Sequence, residues 1–577
     1  MIPADYPRPN MYRKSWRSLN GWWDFDFYDD YFVLCSMEKI ASTLNHTIQV
    51  PFTYQTTMSG IGTGDIHERV IYRRKIKITD KERENRIILH FGAVDFNAEV
   101  WIDNTVVGSH KGGYTPFSFD ITPFTKEKQE IVLSLIAEDK PTPVQPRGKQ
   151  AQGTPFDCWY TAATGIWQSV WMEFLPDIYI NTFSAIQNVK SGSVNYKLNI
   201  SSPDKTCCVV ADVQLNGESV ACMRSECSYP CTEVNLTVPE FQKWSPDEPT
   251  LYNVYFSLVR NESVIDEIET YLSFREVGLE PDGLHINKKR YFQKLILMQG
   301  FWQESGYTAP YVDSFERDIK FAKEMGFNGC RMHMKYEDPR FLYAADRLGF
   351  LVWAEAPSFY TFTDESCSVF RKELMDVLKR DLLHPCVITW VIGNESWGMR
   401  DIDKSEKIKT WLNEITELTR SIDPTRPIIS NDGWEHLTSD IMTFHSYEHG
   451  EEALKDDWNR ARNNDRCGIH NKTFNLTGKN MHRIPWVLSE FGAISFLRHH
   501  EGSEHWGYGD VAESEEDLLL RFEGLIKNAS SLDGISGWCY TQFSDIEQEK
   551  NGLLFEDRTP KIEPSSIKKI LKDIENK

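Results

Sequence analysis

From about residue 285 to the C-terminus, helical and strand patterns alternate along the chain. Three helix–strand pairs carry this pattern most clearly: Ser314–Met325 before 326–331, Asp338–Leu348 before Phe350–Ala354, and Val369–Leu383 before Cys386–Val391. Alternating α and β units over nearly 300 residues predict a parallel sheet closed into a (β/α)8 TIM barrel, a fold of typically about 250 residues. In this fold functional side chains lie at the carboxyl ends of the strands.

The first 276 residues instead show short, partly alternating runs rich in β-branched residues. Examples are Ile71–Ile78, Arg86–Phe91, Ala98–Ile102, Ser193–Ile200, Cys207–Leu215 and Leu251–Arg260. A chain of 577 residues is too long for a single hydrophobic core. We therefore expect a multidomain β + α/β protein: a jelly-roll β-sandwich over residues 1–180, an immunoglobulin-like β-sandwich over 181–276, and the barrel over 277–577.

Charge and composition exclude some classes of function. The formal net charge of -21 disfavours binding to nucleic acid. No apolar run approaches the roughly 20 residues that span a bilayer, and the N-terminus lacks the apolar stretch of a signal peptide. We expect a cytoplasmic protein with its 12 cysteines as free thiols; secretion after removal of a signal is the alternative. The 13% aromatic content suits sugar binding, and equally suits large sandwich cores.

Two carboxylates stand out by their positions. Glu395 follows the apolar run that ends at Val391, and Glu490 ends the apolar run that begins at Trp486. A single acid at a strand end is more often a cap or an ion-pair partner. Two acids at the carboxyl ends of separate barrel strands, flanked by Trp397 and Phe491, instead predict a catalytic pair, because an apolar setting raises the pKa of a general acid.

The motifs around both acids resemble those of glycoside hydrolase family 2. Trp390-x3-Asn394-Glu395 looks like the acid/base signature, and 489–492 (Ser-Glu-Phe-Gly) is similar to the nucleophile segment. The stretches 89–101, 112–122 and 165–171 resemble the family's sugar-binding jelly roll. The resemblance covers nearly the whole chain, in the order jelly roll, immunoglobulin-like sandwich and barrel.

This resemblance implies a retaining exo-β-glycosidase in which Glu395 is the acid/base and Glu490 the nucleophile. It also implies that Asn394 binds the 2-hydroxyl of the sugar and that Tyr447 lies beside the nucleophile. His445, two residues before Tyr447, is either a residue that touches the sugar or a satisfied core histidine.

One departure from the family's commoner pattern concerns Arg331, His333 and Lys335. The strand period of two places these residues on one face, where three cationic donors could hold the carboxylate of a uronic acid. The alternative is that Arg331 positions the nucleophile while Lys335 pairs with Glu337 or Asp338.

A second departure concerns the sugar. Family members that act on glucuronides carry Asn-x-Lys near the last strand, where this chain has Glu549 and Asn551. An acid there would repel a uronate, so a β-galactoside is the first expectation and a β-hexuronide (galacturonide or glucuronide) the alternative. Trp538 and Tyr540 are candidate stacking platforms for a sugar ring; barrel core is the alternative for Tyr540.

No spacing of Asp, His, Glu or Cys predicts a metal site, and no cofactor motif is present. The expected partner is therefore a glycoside or oligosaccharide, with no cofactor. A non-catalytic carbohydrate-binding protein and net transglycosylation remain alternatives. The loops Glu448–Lys479 and Phe496–Ala512 are long and polar, as active-site loops are, and the first is also a candidate for contacts in a homo-oligomer.

Overall fold

The computed structural model describes residues 2–29, 44–203, 206–466, 471–478, 483–498 and 505–575. The chain divides into two compact units. One comprises Met1–Lys140, Ala163–Arg275 and Asp338–Tyr343, and the other comprises Pro141–Ala162, Glu276–Glu337 and Ala344–Lys577.

The first unit contains two antiparallel β-sandwiches, as the short alternating runs predict. In the N-terminal sandwich a four-stranded sheet (Trp16–Ser18, Val170–Leu175, Arg86–Phe91, Phe117–Asp120) accompanies a six-stranded sheet (His46–Val50, Gly21–Phe27, Arg69–Lys77, Glu130–Glu138, Asn97–Ile102, Thr105–Lys111). The strand Asn97–Ile102 buries every second residue, so that one face enters the core. The shared core includes Phe25, Tyr72, Leu89 and Leu135.

The second sandwich pairs a three-stranded sheet (Ile180–Asn188, Ser193–Ile200, Thr232–Thr237) with a four-stranded sheet (Glu218–Glu226, Cys207–Leu215, Tyr252–Arg260, Ser263–Leu272). Phe256 contacts both Phe183 and Tyr196 across the two sheets. The short elements of this unit are a two-stranded pair (Val94–Asp95, Gly165–Ile166), the helices Asp80–Arg83 and Thr122–Thr125, and the 3-10 turns Pro9–Met11 and Thr57–Ser59.

The second unit is a nearly closed barrel of eight parallel strands. We label them β1 (Gln293–Met298), β2 (Gly329–Met332), β3 (Leu351–Glu355), β4 (Val387–Val391), β5 (Ile428–Ile429), β6 (Met442–His445), β7 (Trp486–Gly492) and β8 (Ile535–Thr541). The ladder order is β5-β4-β3-β2-β1-β8-β7-β6, and among the described residues no ladder joins β5 to β6. Strands such as β4 and β7 are buried throughout, as expected of a parallel sheet covered on both faces.

Helices follow most barrel strands. Their bounds are Ser314–Glu324, Pro339–Leu348, Asp364–Asp381, Glu406–Ile422, Glu451–Arg462, Glu515–Ser530 and Pro564–Glu575. A three-stranded antiparallel sheet (Val277–Glu280, Gly283–Ile286, Lys289–Tyr291) precedes β1. No helix in the described part of the chain has the length and apolar run needed to cross a membrane.

The predicted architecture is confirmed. The ends of individual helices differ from the prediction by a few residues where a capping interaction sets the first residue of the helix. The helix predicted over Val369–Leu383 begins at Asp364 because Thr363 and Ser366 form a reciprocal capping box. The predicted loop Glu448–Lys479 contains the helix Glu451–Arg462. Lys479, like residues 467–470 of this loop and 499–504 of the loop Phe496–Ala512, lies outside the described residues.

Candidate active site

The two predicted catalytic carboxylates meet at the carboxyl end of the barrel. Glu490 lies in β7, and Glu395 lies four residues after β4, where its backbone N–H donates to the Asp432 carbonyl at 3.0 Å. A carboxylate oxygen of each lies within 4.8 Å of the other. Retaining glycosidases place their carboxyl groups about 5–5.5 Å apart, whereas inverting enzymes leave about 6.5–9.5 Å for a water. The spacing therefore suits direct attack by one carboxylate.

Glu490 is held by a buried guanidinium. Arg331, at the middle of β2, has no exposed side-chain surface and donates to Glu490 Oε1 at 2.7 Å and to Asn394 Oδ1 at 2.8 Å. Burial alone would raise the pKa of Glu490, but His445 and Arg331 outweigh it and lower that pKa. Glu490 is therefore an ionised carboxylate, as a nucleophile must be.

The second carboxylate oxygen of Glu490 accepts a hydrogen bond from a tyrosine hydroxyl. Tyr447 donates its O–H to Glu490 Oε2, and burial followed by the charge of Glu490 raises the pKa of Tyr447, which keeps the proton on the phenol. The ring of Tyr447 stacks on Tyr508, with centroids 3.6 Å apart and planes at 5°. Tyr447 thus lies where the resemblance placed it, while Tyr508 was not predicted individually because its loop carries no strand or motif signal.

His445 lies between the carboxylates of Glu395 and Asp432. Its Nδ1 lies 2.8 Å from Glu395, its Nε2 lies 3.0 Å from Asp432, and its side chain has no exposed surface. Burial lowers the pKa of His445, but Glu490 and Asp432 outweigh burial and raise it to about 10. These contacts agree with the alternative of a satisfied histidine, here inside the carboxylate network, and contact with the sugar stays a prediction.

Two acids of this network were missed by sequence reasoning. Glu355 ends β3 and accepts from Arg331 Nε, and burial raises its pKa to about 7. Asp432 follows β5 and pairs with Arg331 at 3.0 Å. Glu355 carried the same signal as Glu490, an acid at the end of an apolar strand, whereas β5 is only two residues long and gave no strand signal to place Asp432.

The predicted cationic face of Arg331, His333 and Lys335 does not form. The strand β2 ends at Met332, and Met334 has a positive φ of 49°, so the period of two stops before Lys335. Lys335 donates to the carbonyls of Gly300 and Tyr307 and pairs with Glu337 at 2.8 Å. This geometry agrees with the alternative prediction, in which Lys335 pairs with Glu337.

His333 belongs to the buried network beside Arg331. Its Nδ1 lies 3.0 Å from Glu355 and 3.1 Å from Arg331 Nη2. Burial, followed by the charge of Arg331, lowers the pKa of His333 well below its usual range. The lowered pKa favours a neutral His333, and Arg331 is the residue of the three that forms an ion pair with Glu490, at 2.7 Å.

Trp538 and Tyr540 do not face the site. Trp538 donates its indole N–H to Ser530 at 3.0 Å, and Tyr540 packs edge-on against Phe522, so both rings meet the helix Glu515–Ser530 that covers the barrel. Neither side chain has exposed surface. Their predicted role as stacking platforms is corrected, because inward and outward residues alternate in β8 and both lie on the outward face.

A second polar cluster surrounds Glu549, where the resemblance places the sugar-reading pair of glucuronidases. Glu549 is buried and accepts from the Tyr160 hydroxyl and from Asn551 Nδ2 at 3.0 Å. Two glutamine amides complete the network through hydrogen bonds of 2.6–2.7 Å. Gln299 donates to the Tyr160 hydroxyl and to Gln542, and Gln542 donates to Asn551. Tyr160 lies on a segment outside the barrel strands, which is why sequence reasoning did not place it here.

Two groups of residues have metal-like spacing among the described residues: Glu395 with His445 and Glu490, and Asp346 with His384 and Cys386. In the first group both ring nitrogens of His445 already have hydrogen-bond partners, Glu395 at 2.8 Å and Asp432 at 3.0 Å. In the second, Asp346 already accepts from the backbone N–H of Cys386 at 2.9 Å and lies 2.7 Å from His384 Nδ1. We therefore assign neither group to a metal, and the expectation of no metal stays a prediction.

Models of known families match three consecutive stretches of the chain. The model described as "Glycosyl hydrolases family 2, sugar binding domain" matches residues 16–176, "Glycosyl hydrolases family 2" matches 177–275, and "Glycosyl hydrolases family 2, TIM barrel domain" matches 284–576.

Among curated relatives, the β-galactosidase of Thermoanaerobacter pseudethanolicus is 26% identical over 71% of this chain and 53% of its own length. That of Thermoanaerobacterium thermosulfurigenes is 25% identical over 90% of this chain and 70% of its own. The β-glucuronidase of Paenibacillus borealis is 22% identical over 89% of each protein. The chain thus spans about half the length of the first of these relatives.

Solved structures share the architecture. The β-D-glucuronidase of Dictyoglomus thermophilum superposes with a TM-score of 0.78 at 21% identity and covers 98% of each chain. The β-galacturonidase of Eisenbergiella tayi gives 0.74 at 20% identity, again over 98% of each. At these identities the likeness shows the fold.

Proposed function

The chain belongs to glycosyl hydrolase family 2, and on that premise we propose that it is a retaining exo-β-glycosidase that cleaves terminal β-glycosides by double displacement. One observation carries the proposal: oxygens of Glu395 and Glu490 lie within 4.8 Å of each other at the carboxyl end of the barrel.

In the first step Glu490 attacks the anomeric carbon, while Glu395 donates a proton to the departing glycosidic oxygen. Glu490 suits the first role because Arg331 and His445 keep it ionised. Glu395 suits the second because its side chain keeps 14% exposure, against 8% for Glu490, so the leaving group can depart on its side. Glu395 then removes a proton from the water that hydrolyses the glycosyl-enzyme.

Asn394 is the proposed ligand of the sugar 2-hydroxyl. Its Oδ1 accepts from Arg331, which fixes the orientation of the amide. Within the described ranges the Nδ2 group has a single long contact, 3.9 Å to Met334 Sδ, so it can donate to a hydroxyl. A hydrogen bond at this position strengthens as the oxocarbenium-like transition state develops.

Two classes of sugar are candidates for the glycone of the substrate. A β-galactoside fits the replacement of the glucuronidase Asn-x-Lys pair by Glu549 and Asn551, because this replacement removes the cation that would bind a uronate. A β-hexuronide is the second candidate, and the buried cation Lys149 described below favours it. Relatives include proteins named β-galactosidase and proteins named β-glucuronidase.

Hydrolysis of p-nitrophenyl β-glycosides tests the proposal. The panel comprises galactoside, glucuronide, galacturonide, mannoside, glucoside and α-arabinopyranoside, assayed with wild type, Glu490→Ala and Glu395→Ala. Half-buried Glu523→Ala is the control, since within the described part of the chain Glu523 forms its ion pair with Lys527, one helical turn away. We expect turnover of at least one β-glycoside, with a first-formed product of retained anomeric configuration by NMR.

Loss of turnover in Glu490→Ala, with azide restoring it as a glycosyl azide of inverted configuration, supports the nucleophile. Undiminished turnover in Glu490→Ala contradicts the assignment. A wild type that binds sugars but cleaves none of the panel favours the non-catalytic carbohydrate-binding alternative. Sugar products longer than the substrate would indicate net transglycosylation.

A further inference from the structure

A lysine from outside the barrel strands lies over the ring of Trp397, two residues after Glu395. Lys149 belongs to the segment Pro141–Ala162, which is part of the same compact unit as the barrel. Its side chain is nine-tenths buried, with 9% exposure. The proposed mechanism does not use this residue, and no motif of the sequence marks it.

The backbone around Lys149 is fixed against the loops that follow β2 and β3. The N–H groups of Arg147 and Gly148 both donate to the Ser358 carbonyl, at 3.1 and 3.0 Å. Gly148 has a φ of 59°, and a Cβ there would lie 2.1 Å from the Met334 carbonyl oxygen. Only glycine permits this approach, so the segment is anchored at the mouth of the barrel.

The ammonium of Lys149 has unusual neighbours for a buried charge. Nζ lies 4.7 Å from the ring centroid of Trp397, two residues after Glu395, and the charge of Lys149 acts on the nearby thiol of Cys158, whose pKa burial raises to about 11. Trp397 in turn stacks on Trp159, with centroids 4.8 Å apart. Across the described ranges no carboxylate forms an ion pair with Lys149, although Arg331 and Lys335 each have one.

The charge of Lys149 is nonetheless retained. Burial lowers its pKa, but Cys158 and the carboxylates of Glu549, Glu490 and Glu395 outweigh burial and raise it. An ammonium has three N–H donors, and one thiol and one aromatic face leave donor capacity unused. A buried cation normally has an anionic partner because desolvation is costly.

We infer that Lys149 is a specificity-determining residue that binds an anionic substituent of the sugar, a carboxylate or a sulfate ester, so that the site favours acidic over neutral glycosides. The inference rests on the proposed β-glycosidase function. The ring of Trp397, stacked on Trp159, holds the ammonium, and the substrate anion supplies the direct ion pair that Lys149 lacks within the described residues.

The test compares acidic and neutral substrates in matched variants. Substrates are the p-nitrophenyl β-galacturonide, β-glucuronide, 6-sulfated β-galactoside and β-galactoside. Variants are Lys149→Met, which keeps length and removes charge, Lys149→Arg, which keeps charge, and exposed Lys407→Met as the control. In wild type we expect kcat/KM to be higher for one acidic substrate than for the galactoside.

Lys149→Met is expected to lower kcat/KM for the acidic substrate by about 10- to 100-fold, chiefly through KM, which is the loss of one charge-assisted hydrogen bond. The neutral substrate should change less than about threefold, and Lys149→Arg should recover part of the loss. The acidic substrate whose kcat/KM falls most identifies the preferred group: a hexuronide indicates a carboxylate, and the 6-sulfated galactoside indicates a sulfate ester. Equal losses on all substrates, or a wild type that prefers the galactoside, would overturn the inference.

Calorimetric binding of free galacturonate, glucuronate, galactose 6-sulfate and galactose separates this inference from the proposed function. Suppose that the wild type hydrolyses no substrate but binds an acidic sugar, and that Lys149→Met abolishes this binding. Lys149 then binds the anion, and the hydrolase proposal fails. If the wild type hydrolyses the galactoside and binds no acidic sugar more tightly than galactose, the hydrolase stands and the inference about Lys149 fails.

Discussion

The hydrogen bond from Tyr447 to Glu490 gives the most sharply defined prediction. In Tyr447→Phe the ring can keep its stack on Tyr508, but Glu490 loses the donor on Oε2 and retains the Arg331 donor on Oε1. A hydrogen bond to a charged group contributes about 1.5–3 kcal/mol. We therefore expect kcat/KM to fall on the order of 10- to 100-fold.

The same loss moves the pH profile in a defined direction. Tyr447 stabilises the ionised form of Glu490, so its removal raises the pKa of Glu490. The acid limb of kcat/KM reports ionisation of the nucleophile in the free enzyme and should shift to higher pH. Tyr255→Phe, in the immunoglobulin-like sandwich, is the matched control. An acid limb that stays in place, with activity within about threefold of wild type, would refute the account of how Glu490 is held.

Three further predictions follow from the buried network. Arg331→Met leaves several buried carboxylates without their cation, so we expect a loss of about 3–5 kcal/mol in unfolding free energy by chemical denaturation, together with loss of turnover. The pKa of His445 is raised from 6.5 to about 10, so its contribution to stability is fully present below pH 6.5 and is lost as the pH rises to 10; His445→Gln should flatten that decline in unfolding free energy. Trp538→Phe should lower the unfolding free energy by about 1–3 kcal/mol and leave KM unchanged, because Trp538 packs outside the site. A raised KM with unchanged stability would instead show that Trp538 contacts the sugar.

The architecture could be predicted from sequence because its signals are local. Period-two strands gave the sandwiches, and alternating units gave the barrel. Glu490 could be placed by the same means, since a strand carries its last residues to the carboxyl edge of the sheet. Helix Asp364–Asp381 was shortened in the prediction because a capping box, rather than hydrophobic periodicity, sets its start.

The parts of the site that could not be predicted depend on where a strand ends or on which side it faces. Lys335 was placed on the face of Arg331 by extending the period of two past Met332, where the strand stops. Trp538 and Tyr540 share a face, but the sequence does not say whether that face is inward or outward. Lys149 and Tyr160 reach the site from a segment before the barrel, a long-range contact that no local pattern encodes.

Chemical trapping of the glycosyl-enzyme tests the central claim most directly. A 2-deoxy-2-fluoro β-glycoside of the preferred sugar slows breakdown of the intermediate, because fluorine disfavours the oxocarbenium-like transition state. Tryptic cleavage after Arg483 and Arg498 releases a peptide of residues 484–498 whose sole acidic side chain is Glu490. We predict that this peptide gains the mass of one fluorosugar and that Glu490→Gln does not. A sugar attached to any other peptide, or turnover of the preferred glycoside with inversion at the anomeric carbon, would contradict the account.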